Sequence, residues 1–230
     1  MSVLRQLLKS VLTTCTSRAR LLTRGPRSAG SQPRLALTFD DGPHPIHTPA
    51  VLDRLERFDL RATFFVVGQQ AERYQDLIIK MTEAGHEVAN HTWSHSEPCV
   101  TSAAALNEEV LRTDELLQGL TGTITTAFRP PKGELNWSKL RHLWRLKKTV
   151  ALWNVDPKDY RMTSTDQIAA WCRSYRPADG DIVLLHDVHP HAAVAIDALA
   201  AYGVFDRFET TTISHWLKSE IKPVLQLEGA

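Results

Sequence analysis

From residue 35 onward, short apolar runs alternate with longer stretches in which apolar positions recur every three or four residues. The short runs, at 35–39, 62–67, 86–90, 125–129, 149–154 and 181–186, read as strands. The longer stretches, at 48–58, 70–84, 102–119, 136–146, 165–175 and 191–202, read as helices. A last β-like run at 208–213 precedes a short helix ending near Lys218. Ile182-Val183-Leu184-Leu185 is apolar without a break, as in a strand buried on both faces. Strands alternating with helices argue an α/β fold in which a parallel sheet is joined by crossover helices. About seven such units close most naturally into a (β/α) barrel with outer helices, and 230 residues form one domain of that size.

The N-terminus follows a different pattern. Val3, Leu4, Leu7, Leu8, Val11 and Leu12 make an apolar stripe at helical spacing, with Arg5, Gln6, Lys9 and Ser10 opposite. No run approaches the roughly 18 apolar residues of a membrane span. Lys9 interrupts what would be a signal-peptide core, no clean cleavage site follows, and Thr14 is a poor residue before the cysteine of a lipoprotein box. Two readings remain, a helix lying on a membrane surface or a helix packed on the domain. The arginines that follow favour peripheral membrane contact through residues 1–24. The expected organisation is a basic amphipathic helix and linker at 1–32, a catalytic domain at 33–220 and a tail at 221–230. A cytoplasmic or membrane-peripheral location is expected in preference to secretion.

Charge supports that division. The net charge is +1, but residues 1–39 hold seven basic residues and no acid, which leaves −6 for the rest. A basic tail on an acidic body is not a nucleic-acid-binding domain; it suits an anionic surface. Cys15, Cys99 and Cys172 are odd in number and widely spaced, so they make neither a disulfide framework nor a Cys-x-x-Cys metal site. The pattern around Cys172 makes it a small buried apolar residue.

The chemistry gathers at strand ends. Thr38-Phe39-Asp40-Asp41-Gly42-Pro43 places two adjacent carboxylates where the first strand stops. Neighbouring side chains of a strand point opposite ways, so serving one site requires a break, which Gly42-Pro43 supplies. Alone, the segment is equally well an acidic turn with both acids solvated. His91-Thr92-Trp93-Ser94-His95 adds two imidazoles four apart, which share a face in a helical turn. One carboxylate with two histidines is a divalent-metal set with positions left for water, as in catalytic zinc sites. Arg129-Pro130-Pro131-Lys132-Gly133, the stretch 153–160 and Leu184-Leu185-His186 also follow strand candidates. In α/β barrels that face carries the active site, and structural residues have no reason to gather there.

In order and spacing these five motifs resemble the polysaccharide deacetylase family, which includes chitin, chitooligosaccharide and peptidoglycan N-acetylglucosamine deacetylases. The resemblance covers roughly 33–218 and implies an irregular seven-stranded barrel. It implies a metal, zinc first with cobalt, nickel or manganese also suited, held by Asp41, His91 and His95. Asp40 is implied as general base, with Arg129 keeping it ionised and oriented. His186 is implied as general acid to the leaving amine. Asp159 orients it, with Asp156, three residues earlier, as the other candidate. Pro130, Lys132, Gly133, Tyr160 and Trp93 are implied on the substrate side. Lys132 stands where an aromatic is common, and Tyr160 where Trp is usual. The backbone N–H at 132 is a candidate oxyanion donor whatever its side chain. Trp93 and Trp137 are candidates to stack on sugars or to sit in the core. His44, His47, His189 and His191 flank two of the loops and receive no role.

The leading expectation is therefore a metal-dependent hydrolase removing N-acetyl groups from a GlcNAc-type saccharide. The alternative is a catalytically inactive glycan-binding relative, which would need no general base. A metal phosphohydrolase would want further carboxylates and a basic phosphate cradle, and neither is evident.

Overall fold

The computed structural model describes residues 20–28 and 32–221. Eight strands form one parallel sheet: β1 (Leu21–Leu22), β2 (Arg34–Asp40), β3 (Ala62–Val66), β4 (Glu87–Asn90), β5 (Ala127–Phe128), β6 (Thr149–Ala151), β7 (Asp181–His186) and β8 (Glu209–Thr210). Their order is β1-β6-β5-β4-β3-β2-β7, with β8 also on β2. An isolated bridge from Val155 to Val183 brings the chain beyond β6 against β7, so the sheet curls into an irregular, incompletely closed barrel. Outside it lie α1 (His47–Arg57), α2 (Gly68–Arg73), α3 (Gln75–Glu83), α4 (Ala103–Thr121), α5 (Trp137–Arg145), α6 (Thr165–Ser174), α7 (His191–Ala201), α8 (Val204–Arg207) and α9 (Ile213–Ile221). The expected α/β barrel is the observed fold.

Strand periodicity builds two cores. Leu35, Leu37 and Phe39 of β2 face the helices and join Phe64, Val66, Val183 and Leu185 there. The alternate residue Ala36 faces the barrel interior with Phe65, Ala89, Ala127, Ala151 and Ile182. Four alanines in that inner layer leave room for Trp216 of α9, which is almost wholly buried among them. Helix α9 is anchored where Glu87 accepts hydrogen bonds from the Ser214 N–H (3.0 Å) and Thr63 Oγ1 (2.8 Å). Helix α4 begins at Ser102, whose side chain accepts from the Ala105 N–H, and ends at Gly122 in the left-handed region (φ 66°).

Register then aligns the strand ends. Asp40 is level with Phe65 of β3 and His186 of β7, and Asn90 with Val66 and Phe128. Residues just past those positions therefore surround one mouth of the barrel.

The N-terminal expectation needs correction within the described residues. Residues 1–19, which carry the apolar stripe, lie outside them. Leu21 and Leu22 are not helical but pair with Val150 and Ala151 of β6 and are buried. The linker expected at the end of the 1–32 segment meets a carboxylate: Asp179 accepts from the N–H groups of Ser28 (2.6 Å) and Arg34 (2.9 Å). Arg24 reaches Asp181 at 3.1 Å. The sheet thus begins before residue 33, because the edge of β6 offers unpaired backbone groups and an apolar face that Leu22 covers.

Candidate active site and metal centre

Strand β2 ends at Asp40, whose side chain points into the barrel, and Asp41 then takes φ 74°. The break that lets both acids face one mouth lies at Asp41 itself, one residue before the expected Gly42. Gly42 is packed against the next loop: an added Cβ would lie 2.3 Å from the Asp187 carboxylate.

His91 and His95 do converge, but not through a helical turn. Thr92 (φ 71°) and His95 (φ 54°) are both left-handed, so the segment folds back as a tight loop. Side chains hold that costly geometry. Asn90 Oδ1 accepts from the Thr92 N–H (2.8 Å), and Thr92 Oγ1 accepts from the His95 N–H (3.1 Å). Glu109 of α4 accepts from the N–H groups of Trp93 (3.0 Å) and Ser94 (2.8 Å) and from the Ser94 and Ser96 hydroxyls. Burial opposes the charge on Glu109, but these donors outweigh it and hold its pKa below the usual carboxylate range. Sequence gave no sign of this role, since Glu109 reads as one more surface acid of a helix. Asn90, Asp114 and Lys148 are likewise joined behind the loop (Asn90 Nδ2 to Asp114 2.8 Å, Lys148 Nζ to Asp114 2.6 Å).

His91 Nδ1 donates to the Arg129 carbonyl at 2.7 Å, which leaves Nε2 with its lone pair toward the mouth. Asp41 Oδ1 lies 3.3 Å from Nε2 of both His91 and His95. That oxygen is buried and has no hydrogen-bond partner among the described residues. An orphaned carboxylate oxygen facing two imidazole nitrogens fits a divalent cation, and the three donors fall within one cluster. Burial would raise the Asp41 pKa, but the adjoining His91 imidazole, with His186 and His95, brings it down to about 2. Burial lowers the pKa of His95 below the ordinary imidazole value, which favours the ligating form.

Arg129 is wholly buried and stands across the barrel. Its Nη1 donates to Asp40 Oδ1 (2.6 Å) and Thr38 Oγ1 (2.8 Å), Nε to the Ala151 carbonyl (3.0 Å) and Nη2 to the Leu152 carbonyl (3.2 Å). The Phe65 ring lies 4.0 Å from the guanidinium carbon. Arg129 therefore orients Asp40 and leaves Oδ2 toward His91, 3.8 Å from its Nε2.

At the end of β7, His186 Nδ1 donates to Asp159 Oδ1 (2.8 Å), and the His186 N–H to Asp159 Oδ2 (2.8 Å). Asp159 is fully buried, whereas Asp156 accepts from the Lys158 N–H in its own turn, so Asp159 is the acid paired with His186. Burial disfavours the imidazolium, but the Asp159 hydrogen bond and the charges of Asp159, Asp40 and Asp41 push the His186 pKa up to about 9. Its Nε2 lies 4.0 Å from Asp41 Oδ2, facing the mouth.

The substrate-side expectations divide. Tyr160 is 48% exposed and meets the His186 ring edge-on at 5.4 Å between centroids. Gly133 (φ 65°) packs where an added Cβ would lie 2.7 Å from the Trp153 ring. Lys132 (φ 57°) is ion-paired with Glu97, and Pro130 is buried beneath the loop. Trp93 is corrected: it is 7% exposed, packed against Gly68 with Arg112 3.6 Å from its ring centroid, and offers no open face to a sugar. Its large apolar area is satisfied only under the loop. Trp137 is exposed, edge-on to Trp144.

The family model for polysaccharide deacetylases matches residues 27–151, more than half of the chain. The chain belongs to the polysaccharide deacetylase family. The peptidoglycan-N-acetylmuramic acid deacetylase PdaC of Bacillus subtilis is 34% identical over 184 residues, which are 80% of this chain and 38% of PdaC. The chain thus spans well under half of that curated relative. A chitooligosaccharide deacetylase of Sinorhizobium fredii is 36% identical over 167 residues, covering 72% of this chain and 77% of that one. Among solved structures, peptidoglycan deacetylase PdaC from Bacillus subtilis superposes with a TM-score of 0.75 at 31% identity, covering 88% of this chain and all of that one. The barrel mouth of this deacetylase-family chain is the face on which its five motifs meet.

Proposed function

We propose that this chain is a divalent-metal-dependent hydrolase that removes acetyl groups from N-acetylated, GlcNAc-type saccharides. The observation that carries it is the buried Asp41 Oδ1, without a hydrogen-bond partner among the described residues and 3.3 Å from two imidazole nitrogens, beside an Arg-held carboxylate and an Asp-held histidine. Relatives named for deacetylation of peptidoglycan and chitooligosaccharides support the substrate class.

Asp41, His91 and His95 are the proposed metal ligands, with zinc the first expectation from two imidazoles and a carboxylate. A bound cation supplies Lewis acidity, acidifying water and polarising the acetyl carbonyl. The remaining work falls to the chain's own side chains. Asp40, with Oδ1 occupied by Arg129, offers Oδ2 to take a proton from the attacking water. His186 keeps Nδ1–H on Asp159 and presents Nε2–H to the departing amine nitrogen. Its raised pKa keeps it a proton donor at neutral pH. Tyr160 walls the acetyl side of His186. An inactive glycan-binding relative would not need the Arg129–Asp40 and Asp159–His186 pairs together.

Incubation of the metal-loaded protein with chitooligosaccharides and peptidoglycan fragments tests this by mass spectrometry. Loss of one acetyl mass per product, with equimolar acetate, is expected; intact glycans across the panel would overturn it.

A further inference from the structure

His186 has a second nitrogen that the proposed reaction uses only to hold the ring in place. Its Nε2 looks toward Asp41, and its Nδ1 toward Asp159, where His189 also arrives. His189 lies in the turn between β7 and α7, with Nε2 4.0 Å from Asp159 Oδ2. Both ring nitrogens of His189 are buried and lack hydrogen-bond partners among the described residues. One ligand atom from each of Asp159, His186 and His189 falls within 4.8 Å of the others. The ring of His191 stands 4.5 Å from that of His189, and its Nδ1 also has no hydrogen-bond partner among the described residues.

Unsatisfied buried imidazole nitrogens are costly, and a bound cation would satisfy them. Burial is the main cause that lowers the pKa of His189, and the nearby histidines add to it against the pull of Asp159. Burial thus favours the neutral, ligating form of the ring. Two imidazoles and one carboxylate are the donor types that hold zinc, cobalt or nickel. The first set, Asp41, His91 and His95, shares no residue with this one.

We propose that Asp159, His186 and His189 form a second, weaker divalent-cation site whose occupancy withdraws His186 from proton transfer. On binding, the cation replaces the proton between His186 Nδ1 and Asp159, and that proton leaves to solvent. The need to displace it makes the site weaker than the Asp41 set, where no proton bridges the donors. Binding is independent of the proposed reaction; the inhibition rests on it.

The test titrates Zn²⁺ into protein loaded with one equivalent, followed by equilibrium dialysis with metal analysis and by acetate release. Wild type takes up a second equivalent and loses activity at least tenfold as that equivalent fills. His189→Gln and His189→Ala keep the one-equivalent rate, take up no second equivalent and resist the inhibition. A single equivalent in wild type overturns the site, as does a second equivalent retained by both variants. Uptake lost instead in His47→Gln places the cation on the 44–47 loop and also overturns it. A second equivalent that leaves acetate release unchanged overturns the inhibitory role. Protein releasing no acetate under any condition refutes the proposed activity, while dialysis still decides the site.

Discussion

Arg129 Nη1 lies 2.6 Å from Asp40 Oδ1, and neither side chain meets bulk solvent to any extent. The guanidinium spends its other donors on Thr38 and on the carbonyls of Ala151 and Leu152, so it ties three strands at the level of the mouth. A buried cation of this kind is held by geometry as much as by charge, and only the planar fork reaches all four acceptors. Burial lowers the Arg129 pKa, and the neighbouring Asp40 opposes that fall.

Arg129→Lys is therefore expected to behave as a structural lesion. An ammonium cannot satisfy Asp40, Thr38 and both carbonyls, and breaking a buried pair costs about 3–5 kcal/mol. Urea denaturation should show a clearly lower midpoint together with lost turnover. A wild-type midpoint would mean that the pair contributes nothing to the fold.

Asp40 and Asp41 are adjacent but should fail differently. Asp40→Asn should retain metal, lose about 10²–10⁴-fold in turnover, and unfold more easily because Arg129 loses its counter-charge. Asp41→Asn should lose metal affinity first, and excess metal should restore part of its rate. Metal content and rate titrated side by side on both variants check this. Matching profiles would defeat the division of labour.

His186 gives a pH signature. Its folded pKa of about 9 exceeds the ordinary 6.5, so between those values the folded state binds more protons than the unfolded one. The stabilisation is complete below pH 6.5 and is lost as pH rises through about 9. Denaturation of metal-free protein from pH 5 to 10 should show this decline in wild type and a flatter profile in His186→Gln. Parallel profiles would remove the pair with Asp159 as its source.

Glu109 should act on the metal through the loop it holds. Glu109→Gln keeps the size but loses the charge that four donors share, so the positive-φ turn at 92–95 loosens. A metal Kd raised several-fold, with activity recovered at excess metal, is the expected result by competition with a chelator. An unchanged Kd with lower activity would assign Glu109 elsewhere.

At the N-terminus, deleting residues 1–30 should lower stability relative to deleting 1–19, by uncovering β6. Leu22 buries a full side chain there, a contribution of about 1.5–3 kcal/mol. Equal thermal midpoints for the two truncations would make β1 dispensable.

Apolar periodicity was sufficient for the barrel: the long elements lie within a few residues of their patterns, except that 70–84 divides at Tyr74 into α2 and α3, because strand and helix periods differ and the central strands β2, β3 and β7 are buried on both faces. Residue type and order were sufficient to single out Asp41, His91 and His95, which the fold brings into one cluster, and Asp159 and His186 as near neighbours. Four things lay beyond the sequence. A two-residue strand such as β1 has no period to detect, so Leu21–Leu22 looked like the end of a basic helix. The bend at Asp41 and the left-handed turns at Thr92 and His95 are imposed by contacts from other elements, Glu109 above all, which local propensity does not encode. Trp93 beside two histidines reads as a sugar platform until packing places Gly68 and Arg112 on its faces. The approach of His189 to Asp159 joins a turn after β7 to a loop after β6, a proximity set by strand order alone. Local sequence specifies which side chains are present and the period of the backbone, whereas convergence of residues distant in the chain depends on register and packing.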